Sequence, residues 1–158
     1  MSVGAEKAAK ARAWSLLIVQ LMLLAAIMFL PGGDDWTAAP WMSGAAWALE
    51  FAGLAVVAAG LLNLGHSATP LPTPVTNGRL RSGGLYRFVR HPIYGGLMAF
   101  AVGSATRSGS AAIALVAAAL IGWLMFKARW EERWLRERYP GYEAYAARTP
   151  RFVPFTRR

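Results

Sequence analysis

The sequence predicts an all-α integral membrane protein of about four transmembrane helices, from three observations. Of its 158 residues, 56% are hydrophobic and only 16% charged. The apolar residues lie in long blocks rather than at the spacing of a half-buried surface helix, the pattern of segments solvated by lipid. The 17 lysines and arginines gather mostly at alternate ends of those blocks instead of spreading evenly.

Residues 1–12 read as a short basic, alanine-rich tail. The first block, Trp14 to Leu30, contains no charge and is long enough to span. It ends at Pro31-Gly32-Gly33-Asp34-Asp35, where proline and glycine stop a helix. Trp36 and Trp41 follow, amphipathic rings suited to a membrane interface. The second block, Trp41 to Leu64, is interrupted only by Glu50 and Asn63. Ala45, Ala48, Ala52, Gly53, Ala59 and Gly60 are small enough for close helix contact. Glu50 either snorkels toward water, bonds a neighbouring helix or lines a polar cavity.

Between Ser67 and Gly84, Pro70, Pro72 and Pro74 precede Asn77-Gly78 and Gly83-Gly84, so this stretch is a loop, either a linker or a lid. The third block, Ile93 to Ala105, rises only about 20 Å as helix against a hydrocarbon core of roughly 30 Å, and needs its flanks to cross. The fourth, Ala111 to Phe126, becomes long enough if the helix runs on through Trp130. It is expected to continue through Glu131, Glu132 and Leu135 toward Tyr139 and stop at Pro140-Gly141. A short amphipathic turn or helix from Tyr142 to Arg148 follows, after which Pro150 and Pro154 hold Arg151-Phe152-Val153 extended. The chain divides into an N-terminal helical hairpin, residues 1–66, and a core, residues 67–158, within one membrane domain. Met22, Met28, Met98 and Met125 read as lipid-facing or packing residues.

The formal charge of +9 invites a nucleic-acid reading, and the distribution argues against it. Lys7, Lys10 and Arg12 precede the first block; Arg79, Arg81, Arg87 and Arg90 lie between the second and third; nine more basic residues run from Lys127 to Arg158. The other connections hold Asp34, Asp35 and only Arg107. With four spans, this places both termini and the central loop in the cytoplasm, in a membrane expected to be the inner membrane of a prokaryote. No basic face with base-stacking aromatics stands apart from lipid. A signal peptide would share the basic start, but Phe29-Leu30-Pro31-Gly32-Gly33 is a poor cleavage site. The absence of cysteine removes disulfides, thiol nucleophiles and thiolate metal sites. Two histidines, His66 and His91, are too few for a histidine-built metal site, so no metal is expected.

The residues that carry chemistry stand at the basic end. Pro92 suits the first position of a helix, which puts Arg90 and His91 at its positive end. Taken alone, Arg90 reads first as an anchor to phosphate headgroups and His91 as a cap. Their company says more: Gly84-Leu85-Tyr86 before them and Tyr94-Gly95-Gly96 after them, where glycine allows a ligand or another helix to approach closely. About one helix later come Glu131 and Glu132, whose side chains diverge by roughly 100° on a helix, so that one enters a pocket while the other pairs with a base such as Arg129 or Arg136. An arginine at a helix start attracts a carboxylate, and glutamates attract ammonium and sulfonium groups. S-adenosylmethionine carries all three groups.

The pattern Gly84-x-Tyr86-x3-Arg90-His91-Pro92-x-Tyr94-x-Gly96, with Glu131-Glu132-x2-Leu135-x3-Tyr139-x2-Tyr142-x2-Tyr145 and Thr149-Pro150-Arg151-Phe152-x-Pro154, resembles the isoprenylcysteine carboxyl methyltransferase family, which is related to the phospholipid N-methyltransferases. The resemblance covers the half of the chain from Leu80 onward. It implies a small multispan enzyme with a cytoplasmic C-terminal cofactor-binding region for S-adenosylmethionine and an acceptor arriving from the bilayer. Tyr86, Arg90, His91, Pro92 and Tyr94 would then line the cofactor pocket beside Gly95. Glu131 and Glu132 would hold the cofactor's amino-acid end, and Arg151 would close the pocket or orient an anionic acceptor. Arg90, Tyr94 and Arg151 are the residues expected to act in catalysis.

Methyl transfer from a sulfonium needs in-line positioning and exclusion of water more than an elaborate acid–base set. A carboxylate or thiolate acceptor needs no proton removed, whereas an ammonium does, which favours an anionic or neutral lipophilic acceptor. An isoprenylcysteine-like carboxylate, an isoprenoid acid, a lipid amine and a small thiol all stay open. Two other classes compete: a membrane reductase of the sterol-reductase type using NADPH, against which the short chain and Glu131-Glu132 speak, and a membrane scaffold whose basic tail binds anionic lipid.

Overall fold

The computed structural model describes residues 3–65, 80 and 82–154, and of residues 3–10 and 12 the backbone alone. His66, the boundary expected at residues 66 and 67, and most of the proline-rich loop lie outside the described residues. Five α-helices and no strand occur among those described: α1 (Val3–Phe29), α2 (Pro40–Leu64), α3 (Pro92–Ser108), α4 (Ala111–Arg138) and α5 (Tyr142–Arg148). A 3-10 turn at Gly84–Arg87 precedes α3.

α2 and α4 are long and apolar enough to cross a membrane. The apolar part of α1, Ala13–Phe29, and the 17-residue α3 are shorter than a full span of about 20 residues. The bundle's outer surface is apolar: Met22, Phe29, Phe51, Leu62, Leu115 and Phe126 are exposed, as lipid contact requires. α4 does run beyond its apolar block to Arg138, because no proline or glycine intervenes between Trp123 and Tyr139, and its capping Tyr139 N–H closes on Leu135 O just before Pro140-Gly141.

Close backbone approach joins α2 to α3. A Cβ added at Gly96 would stand 2.5 Å from Gly53 O, and one at Gly103 would stand 2.6 Å from Ala46 O, so the two helices touch main chain to main chain. Of the small residues expected at this contact, Gly53 and Gly60 are buried there, but Ala45, Ala48 and Ala52 are exposed, since the contact follows the stripe through Ala46, Gly53 and Gly60. Ile27 of α1 joins Leu97 and Ala101 of α3 and Ile113, Ala117, Leu120 and Leu124 of α4 in the apolar core.

Both short connections lie at one end of the bundle. Gly33 N donates to Ser108 O, Asp35 N donates to Gly109 O, and the Asp35 carboxylate accepts from Ala111 N at 2.7 Å, supplying α4 with an N-terminal cap from across the chain. Glu50, buried in α2, bonds a neighbouring helix: Arg107 Nε donates to its Oε1 at 3.2 Å, while the guanidinium stacks 4.0 Å over the Trp47 ring. The start of α3, the end of α4 and α5 occupy the opposite end.

Candidate active site

Pro92 begins α3, as its fixed φ favours. The side chain of the preceding His91 makes no capping bond; it turns instead toward α4. The backbone N–H groups of Arg90 and His91 donate to Pro150 O and Arg151 O at 2.9 and 3.0 Å. These two bonds fold the C-terminal strap, Thr149 to Pro154, across the start of α3, so the strap bends at Arg151 to Val153 where an extended segment was expected. Gly95 makes room for it: a Cβ there would meet Phe152 O at 3.1 Å.

Glu132 is the centre of this end of the bundle and is 0% exposed. Arg151 grips it with two bonds, Nε to Oε1 at 2.9 Å and Nη2 to Oε2 at 2.7 Å. His91 Nε2 lies 3.2 Å from Oε1 and must carry the proton, since an ionised carboxylate only accepts. Arg90 Nη2 stands 3.5 Å from Oε1, and Arg136 Nη2, one helical turn on, 3.6 Å from Oε2. Burial alone would push the Glu132 carboxyl up, but the bonds from Arg151 and His91 and the charge of Arg90 outweigh it and hold the group well below the usual carboxylate range. The same bonding to Glu132 raises Arg151.

Glu131 points elsewhere, as adjacent positions on α4 must. Its Oε1 accepts a 2.6 Å bond from Tyr94 Oη, and its Oε2 has His91 Nδ1 at 3.7 Å, beyond hydrogen-bonding distance. The His91 and Tyr94 rings stack nearly parallel with centroids 5.4 Å apart, and Phe152 tilts against His91. Tyr86 is buried; its carbonyl accepts from Tyr145 Oη at 2.6 Å, and burial together with the Glu131 charge pushes its phenol well up.

The fold therefore brings together Tyr86, Arg90, His91, Pro92, Tyr94, Gly95, Glu131, Glu132 and Arg151, all singled out from sequence. It adds residues that were not. Tyr142 and Tyr145, met in the sequence only as part of a spaced tyrosine series, are buried against the site; burial and the Glu132 charge push the Tyr142 phenol up to about 12. Lys127, 2% exposed, donates to Gln20 Oε1 at 2.8 Å and lies 5.3 Å from the Tyr94 ring centroid. Gln20 is the lone polar side chain between Leu16 and Leu30, the signal by which sequence alone points to it. No cluster of three or more metal-ligating side chains occurs among the described residues.

Comparison with known proteins gives the family. The family model for phospholipid methyltransferase matches residues 41–141, from the second helix to the turn before α5. The chain belongs to the phospholipid methyltransferase family. Protein-S-isoprenylcysteine O-methyltransferase B of Arabidopsis thaliana is 30% identical to it over 149 residues, which cover 90% of this chain and 73% of the plant protein. No solved structure matches. Family membership, this relative and the apolar helices together support a membrane methyltransferase. Methyltransferases of this kind imply a methyl donor, and the residues present suit one with an amino-acid end: Arg90 Nε and Nη1 are buried without a hydrogen-bond partner, a demand that an anion would meet.

Proposed function

We propose that the protein transfers the methyl group of S-adenosylmethionine to a lipophilic acceptor that reaches the site from the bilayer, a carboxylate of an isoprenylcysteine-like or isoprenoid substrate. The observation that carries this reading is a pair of open charges at one end of an apolar bundle. Arg90 is a buried cation with two unpartnered nitrogens, and Glu131 is a carboxylate whose second oxygen lies 3.7 Å from His91 Nδ1, beyond bonding distance. Together they complement the carboxylate and ammonium of an amino acid.

The donor, when bound, supplies an electrophilic methyl group on a positively charged sulfur. Arg90 holds its carboxylate and Glu131 its ammonium, with Tyr86, His91, Pro92, Tyr94 and Gly95 lining the space between. Glu132 acts on the scaffold: its four basic neighbours fix Arg90, His91 and the strap in place. Arg151 closes the site by pinning that strap over α3, which helps to exclude water.

A carboxylate acceptor attacks the methyl group with no proton to lose. An amine acceptor must shed one first and so needs a base, for which His91 Nδ1 and the second oxygen of Glu131 are the candidates, whereas a carboxylate needs none. The carboxylate therefore makes the smaller demand on the site. The reading includes four membrane crossings with both termini and the site in the cytoplasm, supported by the gathering of Arg87, Arg90, Arg136 and Arg151 at the end opposite the connections that carry Arg107 alone.

Isothermal calorimetry on protein purified in detergent tests the reading, with S-adenosylhomocysteine, S-adenosylmethionine and NADPH as ligands. Micromolar binding of the first two and none of the third is expected. Binding of the nicotinamide without the nucleoside thioether would place the chain with the reductases, and binding of neither would favour a scaffold.

A further inference from the structure

Among the described residues, three buried side-chain polar atoms have no hydrogen-bond partner: Arg90 Nε, Arg90 Nη1 and Tyr142 Oη. Buried polar groups are ordinarily satisfied, and each one left unmade is costly, so three in one neighbourhood call for an explanation. They do share a neighbourhood: Glu132 has Arg90 Nη2 at 3.5 Å and Arg136 Nη2 at 3.6 Å, and the same Arg136 guanidinium lies 5.9 Å from the Tyr142 ring centroid. Position on α5 does not explain the Tyr142 hydroxyl, because Tyr145, one turn later, has a 2.6 Å bond to Tyr86 O.

The partners at hand are already committed. Glu132, the carboxylate nearest to Arg90, gives both of its short bonds to Arg151 and leaves Arg90 a single contact at 3.5 Å. A buried guanidinium is thus incompletely neutralised by the protein, beside a hydroxyl with nothing to bond. Every free atom of the three is able to donate, and two belong to a cation. Their complement is a compact anion with at least two acceptor oxygens.

We propose that Tyr142 Oη and the two unpartnered nitrogens of Arg90 form a buried pocket for the carboxylate of the methyl donor's amino-acid end, which makes Tyr142 a cofactor-binding residue. This rests on the donor reading above and adds to it a residue on α5. The unpartnered hydroxyl is a stability cost of the ligand-free protein that binding removes.

The test uses Tyr142→Phe, which deletes one oxygen, and two probes differing by one group: S-adenosylhomocysteine and its decarboxylated form. Calorimetry should show the variant binding S-adenosylhomocysteine about tenfold more weakly than the parent, the usual worth of a bond to a charged group. The decarboxylated probe should bind parent and variant alike, because the lost interaction requires both partners. Thermal unfolding of the ligand-free variant should occur at or above the parent temperature, since no native bond is removed. Equal affinity of parent and variant for S-adenosylhomocysteine overturns the proposal and assigns the hydroxyl to an ordered water. Equal weakening of both probes overturns it in favour of a packing role. A parent that binds neither probe overturns the donor reading itself, an outcome distinct from the other two.

Discussion

Arg151 and Glu132 form a two-pronged pair across the end of the bundle, with Nε to Oε1 at 2.9 Å and Nη2 to Oε2 at 2.7 Å. The pair joins the strap Thr149 to Pro154 to the last two turns of α4. It also explains why two adjacent glutamates differ in their surroundings. Glu132 faces inward to four basic groups, whereas Glu131, rotated by about 100°, meets a tyrosine hydroxyl and remains partly open.

Glutamine substitutions at the two positions should therefore separate binding from stability. Glu131→Gln should weaken S-adenosylhomocysteine binding by roughly 1.5–3 kcal/mol and leave the melting temperature near that of the parent. Glu132→Gln should destabilise the fold by about 3–5 kcal/mol, because buried guanidinium groups lose their counter-charge. Calorimetry and thermal unfolding in detergent measure the two effects. Identical behaviour of the two variants would remove the division of labour between the glutamates.

Acid stability should depend on Glu132 in a defined direction. Its folded-state carboxyl is held below the ordinary value of 4.5, so the folded chain resists protonation more than the unfolded chain does. That contribution is present in full above the ordinary carboxyl range and is lost as pH falls below it. Melting temperature should accordingly drop as pH falls below the ordinary carboxyl range in the parent, and more shallowly in Glu132→Gln. An unchanged slope in the variant assigns the acid sensitivity to other carboxylates.

Replacing Arg151 tests the strap. Lysine presents a point charge rather than a planar fork, so Arg151→Lys should lose most of what Arg151→Ala loses. Both should release Thr149 to Pro154 from the start of α3, seen as faster chymotryptic cleavage at Phe152. Resistance equal to the parent in Arg151→Ala would show that the two backbone bonds from Arg90 and His91 suffice.

Much of this arrangement was legible in the sequence for a physical reason: helices of a membrane bundle are written locally, in unbroken apolar runs with proline and glycine at their ends. Pro92 and Ala111 start their helices where the blocks begin, and the path of α4 past Glu132 follows from the absence of a breaker. The meeting of Arg90, Glu132 and Arg151 was reached only through a spaced motif. What local pattern does not encode is which distant side chain answers a buried charge. Glu50 gave no sign that Arg107 was its partner, nor Lys127 that Gln20 was, because each pair is brought together by the packing of separate helices. Tyr142 and Tyr145 look equivalent in sequence and differ only in that one hydroxyl finds a carbonyl.

The contact between α2 and α3 should be intolerant of even one methyl group. Gly96→Ala would set its Cβ 2.5 Å from Gly53 O, and backbone cannot yield as a side-chain tip can. A cost of about 1–3 kcal/mol is expected from such overpacking. Gly122→Ala is the control, since a Cβ there meets nothing within 4 Å. It should leave stability unchanged or raise it by roughly 0.5–1 kcal/mol, as alanine is the better helix former. Equal melting temperatures for the two variants would mean that the helices are not packed this closely in the bilayer.

The proposed topology places the site on the cytoplasmic side, because the basic residues gather at its end of the bundle. The basic residues around Arg90 and Glu132 lie at one end of the bundle, while the connections that carry Asp34 and Asp35 and join Ser108 to Ala111 lie at the other. The chain has no cysteine, so single introduced cysteines report without background. Cysteines at Ser2, Ser82 and Thr156 should be shielded from an impermeant thiol reagent in intact cells, and one at Asp34 should react. Asp34 is preferred to Asp35, whose carboxylate caps α4. Lysis should expose all four positions. If Ser82 and Asp34 label from the same side, α2 does not cross, and a cytoplasmic site between the start of α3 and the end of α4 loses its membrane frame.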